Sequence, residues 1–360
     1  MASLGLGRFF TPVARAGERA AKLAGDRKYN VVILGDTHYD REPADYYHAE
    51  YVQTNPERDR VHRAEFIRNG EMWRDRSPRL LKRAVELVDG DTRMAFQMGD
   101  LIQGDCGNLE THRRMLDDTM GVIKGAFGSL PLVTVVGNHD VRGTEGADEV
   151  YRAYMSAQMS RELGKEIAKT TFDFAIGDDA YIVIDFNTPD DDTIEALLKE
   201  TEGCRHTFII VHGPVFPYDS KTCRWILHGK EDEARRHFRA EFARRNAIVL
   251  CGHVHRTELL DWRGDGGRIT QMTMNSVWKK PELAQYDVIS TGAASYGTLR
   301  QKNKKLPDES ALFDEYRPGI RAYSVSRAAG SYKLNVSDRR VTVDFYGGDS
   351  EKLTHRFILR

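Results

Sequence analysis

The sequence has 360 residues, a length that fits one large domain or two ordinary ones. Hydrophobic residues make up 40% and charged residues 30%, and the mean hydropathy is −0.54, which excludes a membrane-embedded bundle, a collagen and a wholly disordered chain. The 53 Lys and Arg residues balance 54 Asp and Glu residues, so no bulk charge attracts nucleic acid or an anionic membrane. Local groups must therefore hold any anionic substrate.

The first 28 residues form a basic N-terminal extension that lacks the continuous apolar stretch of a secretion signal. Its pattern fits a short surface helix or what remains of a trimmed leader. No stretch of the chain approaches the roughly 18 apolar residues that span a bilayer, so we expect a cytoplasmic protein without a membrane segment. The cysteines are far apart in the sequence and are predicted to be reduced thiols: Cys106, Cys204, Cys223 and Cys251.

From residue 29, short apolar runs alternate with longer helical patterns, which predicts an α/β protein with a mostly parallel sheet. The runs are YNVVILGD (29–36), RMAFQMGD (93–100), PLVTVVGNHD (131–140), YIVIDFN (181–187), TFIIVHGP (207–214) and AIVLCGHVH (247–255). Most of them end in a glycine beside Asp, Asn, His or Pro. Because ligands bind at the carboxyl ends of parallel strands, these polar residues are predicted to form a site.

A charged stretch rich in Tyr, Arg, Glu and His separates the first two runs, from Asp40 to Pro78. It starts directly after the first strand end, so one interpretation is a lid that selects the substrate. The other is a pair of amphipathic helices on the rim of the fold. The sequence leaves both open.

The last hundred residues have a different pattern, dominated by short alternating runs that predict strands. These runs are RITQMTM (268–274), YDVIST (286–291), RAYSVSR (321–327), SYKLNV (331–336), RVTVDFYG (340–347) and HRFILR (355–360). We predict a core over residues 29–265 with an insertion over 40–78. The β-rich part, 266–360, is predicted to be the second sheet of the same domain, with a mobile loop at 301–310.

The polar residues at the predicted strand ends are carboxylates, imidazoles and an amide. They are Asp36, His38, Asp100, Asn138, His139, His212, His253 and His255. This mixture, without a thiolate, indicates borderline transition metals rather than Ca²⁺ or a structural zinc cage. Residues two apart on an extended backbone project to one side, so the pairs at 36 and 38 and at 253 and 255 can each reach one site.

Five motifs in order, GDTH (35–38), GD (99–100), GNHD (137–140), VHG (211–213) and GHVH (252–255), resemble those of the calcineurin-like metallophosphoesterases. The resemblance covers about residues 29–262. It implies an α/β fold, a four-layer αββα sandwich of two mixed sheets flanked by helices. It also implies two divalent or trivalent transition metal ions, Mn, Fe or Zn.

Carried over by motif, the resemblance assigns each predicted ligand to a metal. Asp36, His38 and His255 would bind one ion, and Asp100 would bridge both. Asn138, His212 and His253 would bind the other ion. Two such cations can clamp a phosphoryl group and lower the pKa of a water between them toward about 7.

His139 has a second role in the family, which is to contact a phosphate oxygen and to protonate the departing alkoxide. A general acid of this kind needs a carboxylate nearby. Related phosphatases often carry an aspartate three residues after the bridging one, where this chain has Gln103. Asp105 or Asp140 is therefore expected to orient His139.

The leading interpretation is a dinuclear metal-dependent hydrolase of phosphoric monoesters or diesters. In it a metal-bridging hydroxide attacks the phosphorus of a small phosphorylated substrate, and His139 assists the leaving group. One alternative is an Mre11-like nuclease, which shares GNHD and GHxH but which the balanced charge does not favour. Another is an inactive scaffold that binds protein, and its metal content would distinguish it. A Ser/Thr protein phosphatase fits the motifs less well.

Overall fold

A computed structural model describes residues 27–41, 44–217, 232–298 and 310–360. The strands in chain order are β1 (Tyr29–Leu34), β2 (Thr92–Gln97), β3 (Leu132–Thr134), β4 (Phe172–Ile176), β5 (Asp179–Ile184), β6 (Thr207–Val211), β7 (Ile248–Cys251), β8 (Thr257–Gly264), β9 (Gly267–Thr273), β10 (Val288–Thr291), β11 (Ile320–Ser326), β12 (Gly330–Val336), β13 (Val341–Gly347) and β14 (His355–Ile358). The helices are α1 (Ala44–His48), α2 (Pro56–Asp75), α3 (Ser77–Glu86), α4 (Leu109–Phe127), α5 (Ala147–Leu163), α6 (Asp191–Glu200), α7 (Asp232–Arg244) and α8 (Ser310–Tyr316).

The strands form two mixed sheets. The six-stranded sheet has the order β14-β13-β12-β1-β2-β3, and the eight-stranded sheet has the order β10-β11-β8-β9-β7-β6-β5-β4. β1, β2 and β3 run parallel in the first sheet, as do β5, β6 and β7 in the second. The fully buried strands read as continuous apolar runs because both faces of each sheet are covered.

The two sheets pack against each other through aromatic rings. Phe96 on β2 contacts Tyr181 on β5, with ring centroids 5.5 Å apart. Phe238 and Phe242 of α7 join the separate cluster on the outer face of the eight-stranded sheet. The expected four-layer sandwich of two mixed sheets with outer helices is thereby confirmed. Among the described residues, no helix is long and apolar enough to cross a membrane.

The strand assignment differs from the sequence prediction in two respects. The six early runs divide between the two sheets instead of forming one mostly parallel sheet. The strands within 266–360 also divide, since β9, β10 and β11 join the eight-stranded sheet and β12, β13 and β14 join the six-stranded one. The prediction that this part forms the second sheet is therefore wrong, because both sheets take strands from early and late segments.

Two strands were missed and two predicted segments cannot be compared. β4 and β8 each pair antiparallel to a predicted strand, β4 with β5 and β8 with β9. The predicted loop at 301–310 lies outside the described residues except for Ser310, which begins α8. Residues 1–26 of the N-terminal extension also lie outside them.

The stretch from 40 to 78 is largely helical where it is described. α2 starts after Asn55, whose side chain accepts a hydrogen bond from Arg58 N and so caps the helix. Its buried residues include Trp73, which donates to the carbonyl of Thr37 after β1, and Asn69, which donates to Gln103 after β2. α2 is thus packed into the fold along one face, as the second of the two interpretations requires.

Candidate metal centre

The predicted ligands lie at one edge of the sandwich, where parallel strands of both sheets reach their carboxyl ends. Asp36 and His38 follow β1, and Asp100 follows β2. From the other sheet, His212 follows β6, and the pair at 253 and 255 follows β7. The fold therefore brings into one site residues that are more than 200 positions apart in the sequence.

The first group of donor atoms comes from Asp36, His38, Asp100 and His255, all within 4.8 Å of one another. Nε2 of His38 lies 2.8 Å from Nε2 of His255, which lies 3.1 Å from Oδ2 of Asp36. Nε2 of His38 is also 3.6 Å from Oδ2 of Asp100. Two imidazoles and two carboxylates converging in this way can hold one metal ion.

A second group shares Asp100 with the first and adds His212 and His253. Nε2 of His212 lies 3.2 Å from Oδ2 of Asp100 and 3.2 Å from Nδ1 of His253. Asn138, on the segment after β3, has a buried Oδ1 with no hydrogen bond among the described residues. A buried amide oxygen without a hydrogen bond is suited to bind a cation.

The backbone is strained at several of these positions. His38, Asp100, His253 and His255 have φ values of 43°, 48°, 69° and 51°, in the left-handed region that residues with a Cβ rarely adopt. Such strain persists only where the surroundings enforce it, and it concentrates at functional sites. Gly252 allows the backbone of the GHVH segment to lie close to the carboxylate of Asp36, because a Cβ at this position would be 2.1 Å from Oδ1 of Asp36.

Hydrogen bonds to backbone groups orient several of the predicted ligands. Oδ1 of Asp36 accepts from His253 N at 2.9 Å, and Oδ1 of Asp100 accepts from His139 N at 2.7 Å. Nδ1 of His212 donates to the carbonyl of Met98 at 2.6 Å. This bond occupies Nδ1, so Nε2 of His212 is the ring nitrogen that faces the site and could bind a metal ion.

The electrostatics of the site favour cations. Asp36 and Asp100 are both fully buried, and burial raises the pKa of Asp36 above its usual range. Burial also raises that of Asp100, but His212, with His139 and His38, outweighs it and holds this pKa well below the usual range. Burial lowers the pKa of His212, yet the carboxylates of Asp100 and Asp36 together raise it to about 9. Two buried carboxylates this close together repel each other unless positive charge lies between them, and metal ions would supply that charge.

The donor set therefore fits a pair of transition metal ions. It combines imidazole and carboxylate donors, contains no thiolate and includes one carboxylate common to both groups. Within the described part of the chain, Asp36 Oδ2 and Asn138 Oδ1 are buried without hydrogen bonds. These features match borderline metals and not a closed structural zinc site.

His139 is held differently from the expectation. Its Nδ1 donates to the backbone carbonyl of Gln103 at 2.9 Å, and its ring lies edge-on to that of His38, with centroids 4.4 Å apart. Asp140 instead accepts from Gly137 N at 2.8 Å, and Asp105 pairs with Arg142 at 2.6 Å.

The prediction that Asp105 or Asp140 orients His139 is therefore wrong. The tight turn of the GNHD segment uses the carboxylate of Asp140, and a largely buried ion pair with Arg142 uses that of Asp105. Burial, together with the charge of Arg142, holds the pKa of His139 well below its usual range.

Sequence reasoning missed three residues that support the site. Oε1 of Gln103 lies 3.1 Å from Nδ1 of His38, and Asn69 of α2 donates to the same oxygen at 2.5 Å. Lys279 places its Nζ 3.1 Å from Nδ1 of His255. Gln103 stood out as a departure from the motif, but nothing in the spacing indicates Asn69 or Lys279, which reach the site from distant segments.

Two stacked mixed sheets with a cluster of Asp and His residues at their common edge define the metallophosphoesterase class of fold. The family model of the calcineurin-like phosphoesterases matches residues 29–257. The chain belongs to this family. It is a metal-dependent phosphoesterase, and its substrate carries a phosphoryl group.

Solved structures share the fold at low sequence identity. One is PhoD, 11% identical, with a TM-score of 0.52, covering 92% of this chain and 68% of its own. A dimetal phosphatase from Danio rerio is 11% identical, with a TM-score of 0.51, covering 92% of this chain and 98% of its own.

The purple acid phosphatase PPD1 from yellow lupin (Lupinus luteus) seeds is 12% identical, with a TM-score of 0.52. The match covers 92% of this chain and 53% of that one, so this chain spans about half the length of the lupin enzyme. No curated protein sequence matches the chain.

Proposed function

We propose that the protein hydrolyses small phosphoric monoesters or diesters at a dinuclear metal centre. The observation that carries this proposal is the position of Asp100, whose carboxylate belongs to both groups of donor atoms. A shared carboxylate fixes the separation of two cations, and separations of about 3.5–4 Å suit the clamping of a phosphoryl group.

Asp36, His38 and His255 would hold one ion, and His212 and His253 would hold the other, each by the group of donor atoms in which it lies. Asn138, whose buried Oδ1 has no hydrogen bond among the described residues, would join the second set. Asp100 would serve both ions. Manganese, iron and zinc all suit this donor set.

When bound, the metal ions would acidify a water molecule and offset the charge of the phosphoryl oxygens. The protein residues position the groups that act on the substrate. The carbonyls of Met98 and Gln103 hold His212 and His139, each through Nδ1. Because these bonds are already formed before substrate arrives, orientation costs little at the moment of reaction.

His139 is assigned to the substrate and not to a metal. With Nδ1 bonded to a carbonyl, only Nε2 can meet a substrate oxygen. A phosphoryl dianion next to this imidazole would raise its pKa and favour the protonated form. Nε2–H can then bind a phosphate oxygen and pass its proton to the departing alkoxide.

A paired assay tests the proposal. p-Nitrophenyl phosphate and bis-p-nitrophenyl phosphate are offered to protein reconstituted with Mn²⁺, Zn²⁺, Fe²⁺ or Mg²⁺, with metal content measured in parallel. We expect hydrolysis of at least one ester, with about two metal ions per chain. A protein that binds metal but cleaves neither ester, or that binds no metal, would contradict it.

A further inference from the structure

A second cavity lies at the opposite end of the strands that carry the candidate metal centre. It has a volume of about 410 Å³ and lies where β7 and β9 begin, whereas His253 follows the end of β7. Its lining includes Arg263, Arg268 and Arg360 and, among the described residues, no side-chain carboxylate.

The arginines lie close enough together for their positive charges to repel one another. Arg263 on β8 and Arg268 on β9 are direct cross-strand partners in an antiparallel pair. Like charges in this position are destabilising. Arg360 is half-buried, and burial together with the charge of Arg268 lowers its pKa.

Nearby carboxylates compensate only part of this charge. Nε of Arg268 donates to Oδ1 of Asp261 at 2.7 Å, which neutralises one guanidinium. Nη1 of Arg360 lies 2.6 Å from Nδ1 of His206 and donates to the backbone carbonyl of Arg205, and the charge of Asp179 opposes the effect of Arg268 on Arg360. Arg263 is exposed and forms no ion pair with another described residue. The cavity thus keeps an excess of positive charge in a chain whose net charge is −1.

The rest of the lining suits a polar ligand. Asn246 and Thr270 add polar side chains, Gly266 belongs to the turn between β8 and β9, and Gly267 begins β9. A Cβ at Gly266 would meet no atom within 4 Å, so the backbone of this turn is open to the cavity. Guanidinium groups bind phosphate oxygens through paired hydrogen bonds.

We propose that this cavity, which we term the arginine pocket, binds a small organic phosphate separately from the candidate metal centre. A volume of this size is within the range of small-molecule sites. The small volume and the limited number of cations favour a small ligand over a nucleic acid, which needs an extended basic surface.

The amides of Gly266 and Gly267 report on the arginine pocket alone, and those of Gly137 and Gly252 report on the metal centre. The test is therefore NMR of metal-loaded protein labelled with ¹⁵N-glycine, titrated with methylenediphosphonate. A phosphoesterase cannot cleave the P–C–P linkage of this probe. We expect the amides of the first pair to shift and saturate.

The substitution Arg263→Gln should weaken this binding by about tenfold, the loss of one charge-assisted hydrogen bond. Arg321→Gln on β11 removes one exposed positive charge outside the arginine pocket, and the affinity should stay unchanged. Since Arg263 is exposed and unpaired with described residues, its loss should not affect folding.

No shift at Gly266 and Gly267 would overturn the proposal, as would equal affinity in Arg263→Gln and the wild type. Shifts caused by an oligonucleotide and not by methylenediphosphonate would also overturn it, in favour of nucleic acid binding. Shifts at Gly137 and Gly252 bear on the metal centre only, so failure of the proposed function would be seen separately.

Discussion

Oε1 of Gln103 lies 3.1 Å from Nδ1 of His38. Since His38 donates at Nδ1, its Nε2 is left as a metal donor, and Asn69 holds the glutamine in place from α2. Residues that orient a metal ligand through a hydrogen bond commonly raise metal affinity by about 10–100-fold.

We therefore expect Gln103→Ala to weaken binding of one metal ion by about 10–100-fold. Titration with metal, followed by elemental analysis, measures this change. Gln285 is exposed and is neither one of the predicted ligands nor one of the residues described above as supporting them, so Gln285→Ala is the control and should bind metal as the wild type does. Unchanged affinity in Gln103→Ala would show that the contact does not support His38.

Asp100→Asn should lose metal and activity together. The amide has one oxygen acceptor and no charge, so it cannot bridge two cations or balance their repulsion. Elemental analysis and p-nitrophenyl phosphate hydrolysis are measured on the same sample. Two metal ions per chain in this variant would overturn the assignment of Asp100 as the shared ligand.

His139→Ala should retain its metals and lose turnover. If His139 protonates the leaving group, the loss should be larger for alkyl phosphates than for p-nitrophenyl phosphate, whose leaving group hardly needs a proton. Comparison of kcat for the two esters decides this. Equal losses would favour a role in phosphate positioning and exclude the acid role.

His112 on α4 should make the protein less stable in mild acid. Burial lowers its pKa from 6.5 to about 4, although the backbone of Asp140 partly opposes this. Below pH 6.5 the unfolded chain takes up a proton at this residue that the folded chain excludes until about pH 4. Stability is thus present above pH 6.5 and is lost as the pH falls, by about 2 kcal/mol at pH 5.

Urea unfolding of wild type and His112→Leu at pH 7.5 and pH 5 tests this effect. The fall in unfolding free energy between the two pH values should be smaller in the variant by about 2 kcal/mol. The comparison holds whatever the overall stability of the variant. Parallel losses in both proteins would exclude His112 as the group responsible.

Trp73→Phe should destabilise the protein and disturb the segment that carries His38. Nε1 of Trp73 donates to the carbonyl of Thr37 at 2.9 Å, and this buried acceptor would lose its partner. The expected cost is about 1–3 kcal/mol of unfolding free energy. Trp278 is a matched control, since its Nε1 is buried without a hydrogen bond among the described residues.

Trp278→Phe should accordingly cost less than Trp73→Phe, because it removes a donor that has no partner. Metal affinity should fall only in Trp73→Phe. If both variants lose equal stability and neither changes metal binding, the hydrogen bond to Thr37 does not position His38.

The sequence alone determined the strands that lead into the site and the residues that follow them. Asp36, Asp100 and His212 each come directly after an apolar run, and this local pattern depends only on neighbours in the chain. The order of the motifs was enough to indicate the family and the two-metal chemistry.

The tertiary structure decided which distant groups support those residues. Pairing of β12 with β1 and of β11 with β8 distributes late segments over both sheets, and no local pattern specifies such long-range pairing. The carbonyl of Gln103 took the place expected for a carboxylate beside His139, because the backbone after β2 turns there with Asp105 aimed at Arg142. The arginine pocket likewise forms only when folding brings residue 360 next to residues 263 and 268. The charge of a residue so distant in the sequence acts on the other two only at short range.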